Sequence, residues 1–448
     1  MVKDMTTGSP MKLILGFSVP LLFGFLFQQF YNLADTIIVG QYLGKDALAA
    51  VGSTGSINFL IIGFCMGVCI GFSIPISHKF GAKDYPGLRR YAANCVWLAI
   101  LFAAVMTFLT TLFCRHILVF MKTPDNILDS AYTYIWIIFL GIPTTYLYNM
   151  LSGMIRAMGD SKTPVIFLVL SSFLNIGLDL FFITKLNMGI AGAAWATVLS
   201  QGISGICCLL FIICKFEILH ISGEEWRPDG HTMKLLCGMG VPMGLQYSIT
   251  AIGSVILQSA TNTLGSDAVA SVAAASKVSG FLACPFDAMG STMATYGGQN
   301  VGAGKLDRLG KGLKSCVLLG AGYSIIAFLI ALLLGHRLAG LFVKHSEIQI
   351  MHQVWMMLVC NTTFYFPLAL VNIIRFLIQG MGFPRFAILA GVLEMIARAM
   401  TGFLLVPVFG FPAVCFGSPI AWILADSFLI PAFFYVRRKL QGQIGQAA

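Results

Sequence analysis

The sequence predicts an all-α polytopic membrane protein with twelve transmembrane helices arranged as two parallel six-helix repeats. Three observations carry this: composition, the number of apolar stretches, and an internal repeat. The 448 residues are 58% apolar and only 10% charged, with a mean hydropathy of +0.86, far outside the range of soluble domains. A helical span of the bilayer core takes about 20 residues, so twelve spans with short connections use nearly the whole chain. That excludes a sizeable soluble domain, and with it a soluble enzyme, a nucleic-acid binder or a disulfide-stapled secreted module. The 12 cysteines follow no metal-type or paired spacing and mostly sit inside apolar runs, where thiols act as small hydrophobes.

Apolar stretches between polar or Pro/Gly-rich breaks place spans near 12–36, 47–77, 91–114, 130–155, 164–184 and 190–214. A second set lies near 234–263, 268–298, 312–334, 350–378, 386–406 and 411–436. The first stretch lacks an A-x-A-like cleavage site and reads as a permanent span, not a signal peptide. Residues 215–233 form the longest polar stretch and read as a linker between an N-terminal lobe, 1–214, and a C-terminal lobe, 234–448. The linker acids Glu224, Glu225 and Asp229 read as solvated charges.

The net charge of +10 has a positional explanation. With the N-terminus cytoplasmic, inner segments hold 20 of the 28 Lys and Arg residues, Arg375 among them. Outer segments hold Lys45, Arg115, Lys122, Lys185, Arg337 and Lys344, and Lys277 and Arg398 fall inside spans. This bias predicts an even number of spans and both termini inside.

The halves repeat. LGKDALAAV at 43–51 matches LGSDAVASV at 264–272 in six of nine positions, with an offset of 221. Val19-Pro20 pairs with Val241-Pro242, and Met158-Gly159 with Met381-Gly382. Six spans is an even number, so both copies enter the membrane in the same direction, related by an axis along its normal.

Ionisable groups within spans cost about 2.5 to 3.5 kcal/mol each on insertion scales and need partners or a function. Seven qualify: Asp35, Asp179, Lys277, Asp287, Glu394, Arg398 and Asp426. Glu394 and Arg398 are four apart and read as a structural ion pair on one helix face. Asp426 has no evident local partner. Lys277 and Asp287 share roughly one face of the eighth span and either line a substrate cavity or pair elsewhere.

Asp35 and Asp179 say more. Gln28, Tyr31, Asn32 and Asp35 form a polar stripe on the first span. Asn175 and Asp179 share a face of the fifth, and Thr197 on the sixth follows the small-residue run Gly192-Ala193-Ala194. The second repeat does not copy the acids: Leu257 and Met400 stand at the corresponding positions. An acidic pair kept in one of two repeated lobes suggests function. Such a pair can bind and release a proton, and with the Asn175 and Thr197 oxygens it also offers hard ligands for sodium. The 21 Met and 36 Phe suit promiscuous binding of large apolar cations, although each is equally at home against lipid.

These motifs, in this order, resemble the multidrug and toxic compound extrusion (MATE) family. The matching elements are Pro20, QQFYNLADTIIVGQYLG at 28–44, ALAAVG at 47–52, RAMGDSKTP at 156–164, NIGLDLFF at 175–182, GIAGAAWAT at 189–197 and GQNVGAGK at 298–305. The resemblance implies a V-shaped, bilobal secondary antiporter that exports organic cations in exchange for protons or sodium by alternating access. In its DinF-like branch the cation-coupling positions, a sodium site included, map onto Asp35, Asn175, Asp179 and Thr197. Gln28 and Tyr31 map near the substrate cavity. Another branch carries acids on the seventh and tenth spans, where this chain has Gln246, Gln258, Asn361 and Asn372.

Two other transporter readings compete. A major-facilitator protein usually carries G-x-x-x-D-R-x-G-R-R between spans two and three, and GAKDYPGLRR at 81–90 does not fit. A lipid-linked oligosaccharide flippase of the same superfamily would line its cavity with more cations. A membrane-embedded enzyme lacks a nucleophile or metal constellation here. The expectation is therefore a multi-pass plasma (inner) membrane exporter needing no cofactor beyond its coupling ion. It would act as a monomer on small amphipathic cations, with the lipid bilayer as its surroundings and no nucleic-acid partner.

Overall fold

A computed structural model describes residues 3–121, 123–343 and 346–447, with side chains to 443; Lys122 and Lys344 lie outside the described residues. The described chain is helical almost throughout. Helix α1 (Pro10–Gly81) is broken at Gly44, whose φ of 84° and ψ of −175° are non-helical, so it holds two spans. It is followed by α2 (Tyr85–Phe120), α3 (Asp125–Leu140), α4 (Ile142–Ala157), α5 (Lys162–Leu180) and α6 (Ile190–Lys215). The second half runs through α7 (Gly230–Asn262), α8 (Ser266–Gly302), α9 (Asp307–Ala339), α10 (Ile348–Thr363), α11 (Tyr365–Gly380), α12 (Pro384–Met400), the short α13 (Val406–Phe409) and α14 (Phe411–Ala447).

Nine of the described helices are individually long and apolar enough to cross a membrane. The bent pairs α3–α4 (45°) and α10–α11 (52°) add two spans, and the break in α1 makes the twelfth. Both bends sit where a proline enters the helix, Pro143 and Pro367. Proline has no N–H to donate and its ring clashes with the carbonyl four residues back.

The repeat is written into the backbone. Left-handed φ values recur at Gly44 and Gly265 (84° and 98°), Lys83 and Gly304 (57° and 70°), Gly159 and Gly382 (86° and 94°), and Gly189 and Gly410 (60° and 65°). A π-helical turn follows the fifth span of each half, at Phe181–Lys185 and Thr401–Leu405. These positions require special conformations, so their recurrence is a test of the repeat independent of side-chain similarity.

By contacts the chain forms two compact units. One comprises Met1–Asp4 and Phe23–Gly244, the other Met5–Leu22 and Leu245–Ala448. The handover falls two residues after Pro20 in α1 and two after Pro242 in α7. In the first unit, Gly67 and Gly71 of α1 meet Met243, Gly244 and Gly240 of α7 backbone to backbone, the close approach that paired G-x-x-x-G spacings allow. Asp84 caps α2 through the Gly87 N–H (2.9 Å) and accepts from Lys79 Nζ (2.7 Å). The Lys79 bond holds the Asp84 carboxyl below its ordinary range, so this cap persists at neutral pH and is lost only in strong acid.

The linker acids are not all free in solvent, as composition suggested. Arg89 Nε donates to Glu225 Oε1 at 2.7 Å, Arg90 pairs with Asp229 at 3.4 Å, and the Asp229 N–H donates to Asn94 Oδ1 at 2.9 Å. Three residues of α2 thus hold the chain entering α7. In the second unit the GQNVGAGK run has a parallel role. The Met5 N–H donates to Gln299 Oε1 (2.9 Å), Lys305 Nζ to the Thr6 carbonyl (2.9 Å), and Arg308 to the Gly8 carbonyl (3.0 Å). The corner between the second and third helices of each repeat therefore clasps the segment leading into the opposite repeat.

Candidate functional site

The first unit gathers the predicted acidic cluster. Helix α1 contributes Gln28, Tyr31 and Asp35, α5 contributes Asn175 and Asp179, and α6 contributes Thr197. Asp179 is fully buried and Asn175 nearly so, whereas Asp35 is half-buried. Asn175 Nδ2 donates to Thr197 Oγ1 at 3.3 Å, and Thr197 Oγ1 in turn donates to the Ala193 carbonyl at 3.2 Å. The carboxyl groups of Asp35 and Asp179 lie within hydrogen-bonding reach of each other. Even so, Asp35 Oδ1, both Asp179 oxygens and Asn175 Oδ1 are buried without a donor from the protein. Two carboxylates so placed repel, and burial disfavours their charge. A proton or a metal cation shared between them would relieve that cost. The donor set, carboxylate, amide and hydroxyl oxygen, suits a hard monovalent cation.

Asp179 stands two residues before the π-helical turn at Phe181–Lys185. Such turns insert a residue into the helix and are frequent at functional sites. Tyr134 of α3, buried beside the two acids with Tyr31, was not singled out from sequence. Its spacing within DSAYTYIWIIF resembles any aromatic core position, so no local signal marks it. Asn32, expected in the polar stripe, is exposed. One residue from Tyr31, it is turned about 100° around the helix.

Beside the cluster lies a cavity of about 50 Å³ with polar and apolar walls. Asn175 and Thr197 form its boundary with the acids, and Gln28, Tyr31, Thr145 and Gln201 are among its walls. The other two candidate cavity residues, Lys277 and Asp287, belong to α8 of the second unit, and both are exposed. Asp287 lies near Cys284 and Tyr365.

The second unit holds a different cluster. Glu394 and Arg398 approach to 3.4 Å as the i,i+4 spacing predicted, but Glu394 also pairs with Arg375 of α11. Arg375, counted from sequence among the inner segments although the span at 350–378 contains it, is buried, 6% exposed. It lies within the apolar run VNIIRFLIQ, which was its overlooked signal. Asp426 of α14 is not isolated either: it sits within range of the Arg375 charge. Nearby, Gln379 donates to Gln246 across α11 and α7. Two acids thus face two arginines within this lobe.

Among the described residues no group of three or more His, Cys, Asp and Glu side chains could hold a metal ion, and all twelve thiols are free. The MatE family model matches residues 20–181 and 242–404, one match on each repeat and together most of the chain. The chain belongs to the MATE family. Among curated relatives, this MATE protein is 32% identical over 310 residues to the probable multidrug resistance protein YpnP of Bacillus subtilis, with 68% of each chain covered. It is 28% identical over 348 residues to YoeA of the same organism, also described as a probable multidrug resistance protein, covering 76% of this chain and 75% of the relative. Among solved structures, a MATE protein in complex with MaL6 superposes with a TM-score of 0.90 at 23% identity, covering 98% of both chains. That likeness carries the fold. The MATE assignment makes the chain a multi-pass membrane transporter and sets aside the major-facilitator reading.

Proposed function

We propose that this MATE protein is an antiporter of the DinF-like branch that exports small amphipathic organic cations, drugs among them, in exchange for protons or sodium. The observation that carries the reading is the pair Asp35–Asp179, whose buried, unpartnered oxygens lie in one lobe only. Sequence likeness to relatives described as multidrug resistance proteins supports the substrate class. Binding of a proton or sodium at Asp35, Asn175, Asp179 and Thr197 reshapes α1, α5 and α6 and lowers substrate affinity on the outward side. Release follows, and return inward requires the ion to leave. Gln28, Tyr31, Asn32, Lys277 and Asp287 contribute to the substrate path. The protein works as a monomer in the inner membrane with both termini cytoplasmic, its two lobes divided at the 215–233 linker, without a cofactor.

A coupling ion entering down a potential supplies about 2.3 kcal/mol per net charge per 100 mV; a one-for-one exchange with a monovalent cation moves no net charge, so there the ion's own concentration gradient drives export. In proteoliposomes loaded with ethidium, imposed proton and sodium gradients applied separately should identify the ion. Asp35→Asn and Asp179→Asn should each slow gradient-driven efflux at least tenfold while ethidium still binds. Undiminished efflux from both variants would rule out the assignment.

A further inference from the structure

The cavity beside the acidic pair is not needed to explain either the pair or the fold. Its volume has room for a few water molecules and not for a drug. It runs along α5 from Asn175 back to Ser172 and Ser171, and along α6 from Thr197 to Ser200 and Gln201. Both directions lead away from the π-helical turn and toward the end of the lobe where α4 meets α5 at Lys162.

The hydrogen bonds decide what the cavity can hold. Thr197 donates to the Ala193 carbonyl, Ser200 to the Thr197 carbonyl at 3.0 Å, Ser172 to the Leu168 carbonyl at 2.9 Å, and Tyr148 to the Pro164 carbonyl at 3.0 Å. A hydroxyl has one proton to give, so each of these oxygens presents only lone pairs to the interior. Thr145 Oγ1 likewise spends its proton on Gln201 Oε1, at 2.9 Å. Asn175 Oδ1, 99% buried with its residue, receives no bond at all and sits where this wall meets Asp179. Ile62, Met66 and Leu168 give the wall an apolar part, and Gln28 and Gln201 carry amide donors, but the hydroxyl oxygens of its α5 and α6 sides and Asn175 Oδ1 face it as acceptors, which favours a small cation with part of its water along that side.

We propose that this cavity is a transit site for the coupling cation, a proton carried by water or a partly hydrated sodium ion, linking Asp35–Asp179 to the inner end of the lobe, with the Thr145–Gln201 bond as its constriction. It gives the ion a path within one lobe that shares Gln28 and Tyr31 with the proposed substrate path. The inference rests on the coupling role proposed for the acidic pair.

The test uses full-length protein in proteoliposomes. Gln201→Leu and Ser200→Val, which put methyl groups in place of acceptors, should slow gradient-driven ethidium efflux at least tenfold with ethidium affinity unchanged. Because an added methyl group can disturb folding, a second measurement uses Ser200→Cys. Over the background of the parent chain's own thiols, it should react at least tenfold faster with a small cationic methanethiosulfonate than with an anionic one of similar size, and excess coupling ion should slow the cationic reaction. Equal rates with both reagents, no reaction with either, or wild-type efflux from folded Gln201→Leu and Ser200→Val would overturn the transit site. If Asp35→Asn and Asp179→Asn lose efflux while the cavity variants keep it, only the transit site fails; if the aspartate variants keep it, the coupling assignment itself fails.

Discussion

Glu394→Gln is expected to lower the thermal unfolding midpoint of the detergent-solubilised protein more than any other single charge removal in the second unit. Glu394 is 3% exposed and is the one carboxylate that pairs with both Arg375 and Arg398. Forming a buried ion pair gives little net stability, because desolvation offsets attraction, but removing one partner strands the other in a medium that cannot solvate it. Breaking such a pair typically costs roughly 3 to 5 kcal/mol, and here two guanidinium groups lose their shared carboxylate, with Asp426 beside Arg375. Arg398→Met should be milder, since its contact with Glu394 is long at 3.4 Å and Glu394 keeps Arg375. Arg375→Met should fall between, because Asp426 then also loses the positive charge beside it. Scanning fluorimetry on the three variants checks the order. A Glu394→Gln midpoint equal to wild type, or a larger loss for Arg398→Met, would show that Glu394 does not hold the two arginines.

That cluster also marks where sequence reasoning reached its limit. Glu394 and Arg398 were paired because i,i+4 spacing is a local property of one helix. Arg375 joins them from another helix, and no local pattern reports a tertiary neighbour; counting basic residues for orientation placed it with the inner segments although it lies within the 350–378 span. Tyr134 was missed beside Asp35 and Asp179 for the same reason. Asp35, Asn175, Asp179 and Thr197 were legible because each is a polar residue in a run that should exclude it, and three helices of one repeat had to bring them together. The spans and repeat were legible from hydropathy and from the turn positions, of which Gly44, Gly265, Gly189 and Gly410 adopt the left-handed backbone that glycine tolerates. The bends at Pro143 and Pro367 were readable in principle, but an unbroken apolar run masked them. Glu225 and Asp229 were read as solvated because their partners Arg89, Arg90 and Asn94 lie over 130 residues earlier.

Gly71→Val should abolish recovery of folded, monodisperse protein from membranes. A β-carbon on Gly71 would stand 2.5 Å from Gly240 Cα and 2.7 Å from the Met239 carbonyl oxygen, closer than packed atoms approach. Both obstacles are backbone, so no rotamer change relieves the overlap, and α1 and α7 must move apart along the contact that Gly67 and Gly244 continue. Overpacking typically costs about 1 to 3 kcal/mol where side chains can adjust, and a backbone obstacle exceeds that case. Gly71→Ala should already reduce yield. Gly240→Ala should be milder, because its nearest obstacle is the Phe72 ring, although the Val68 carbonyl at 3.1 Å limits the escape. Gly52→Ala is the control, having nothing within 4 Å of its added carbon. Fluorescence-detected size-exclusion chromatography reads all four, and a Gly71→Val profile matching Gly52→Ala would mean that the two helices do not approach this closely. A second-site change at Gly240 cannot rescue Gly71→Val, since that residue is already the smallest available; the contact can be relieved only by separating the helices.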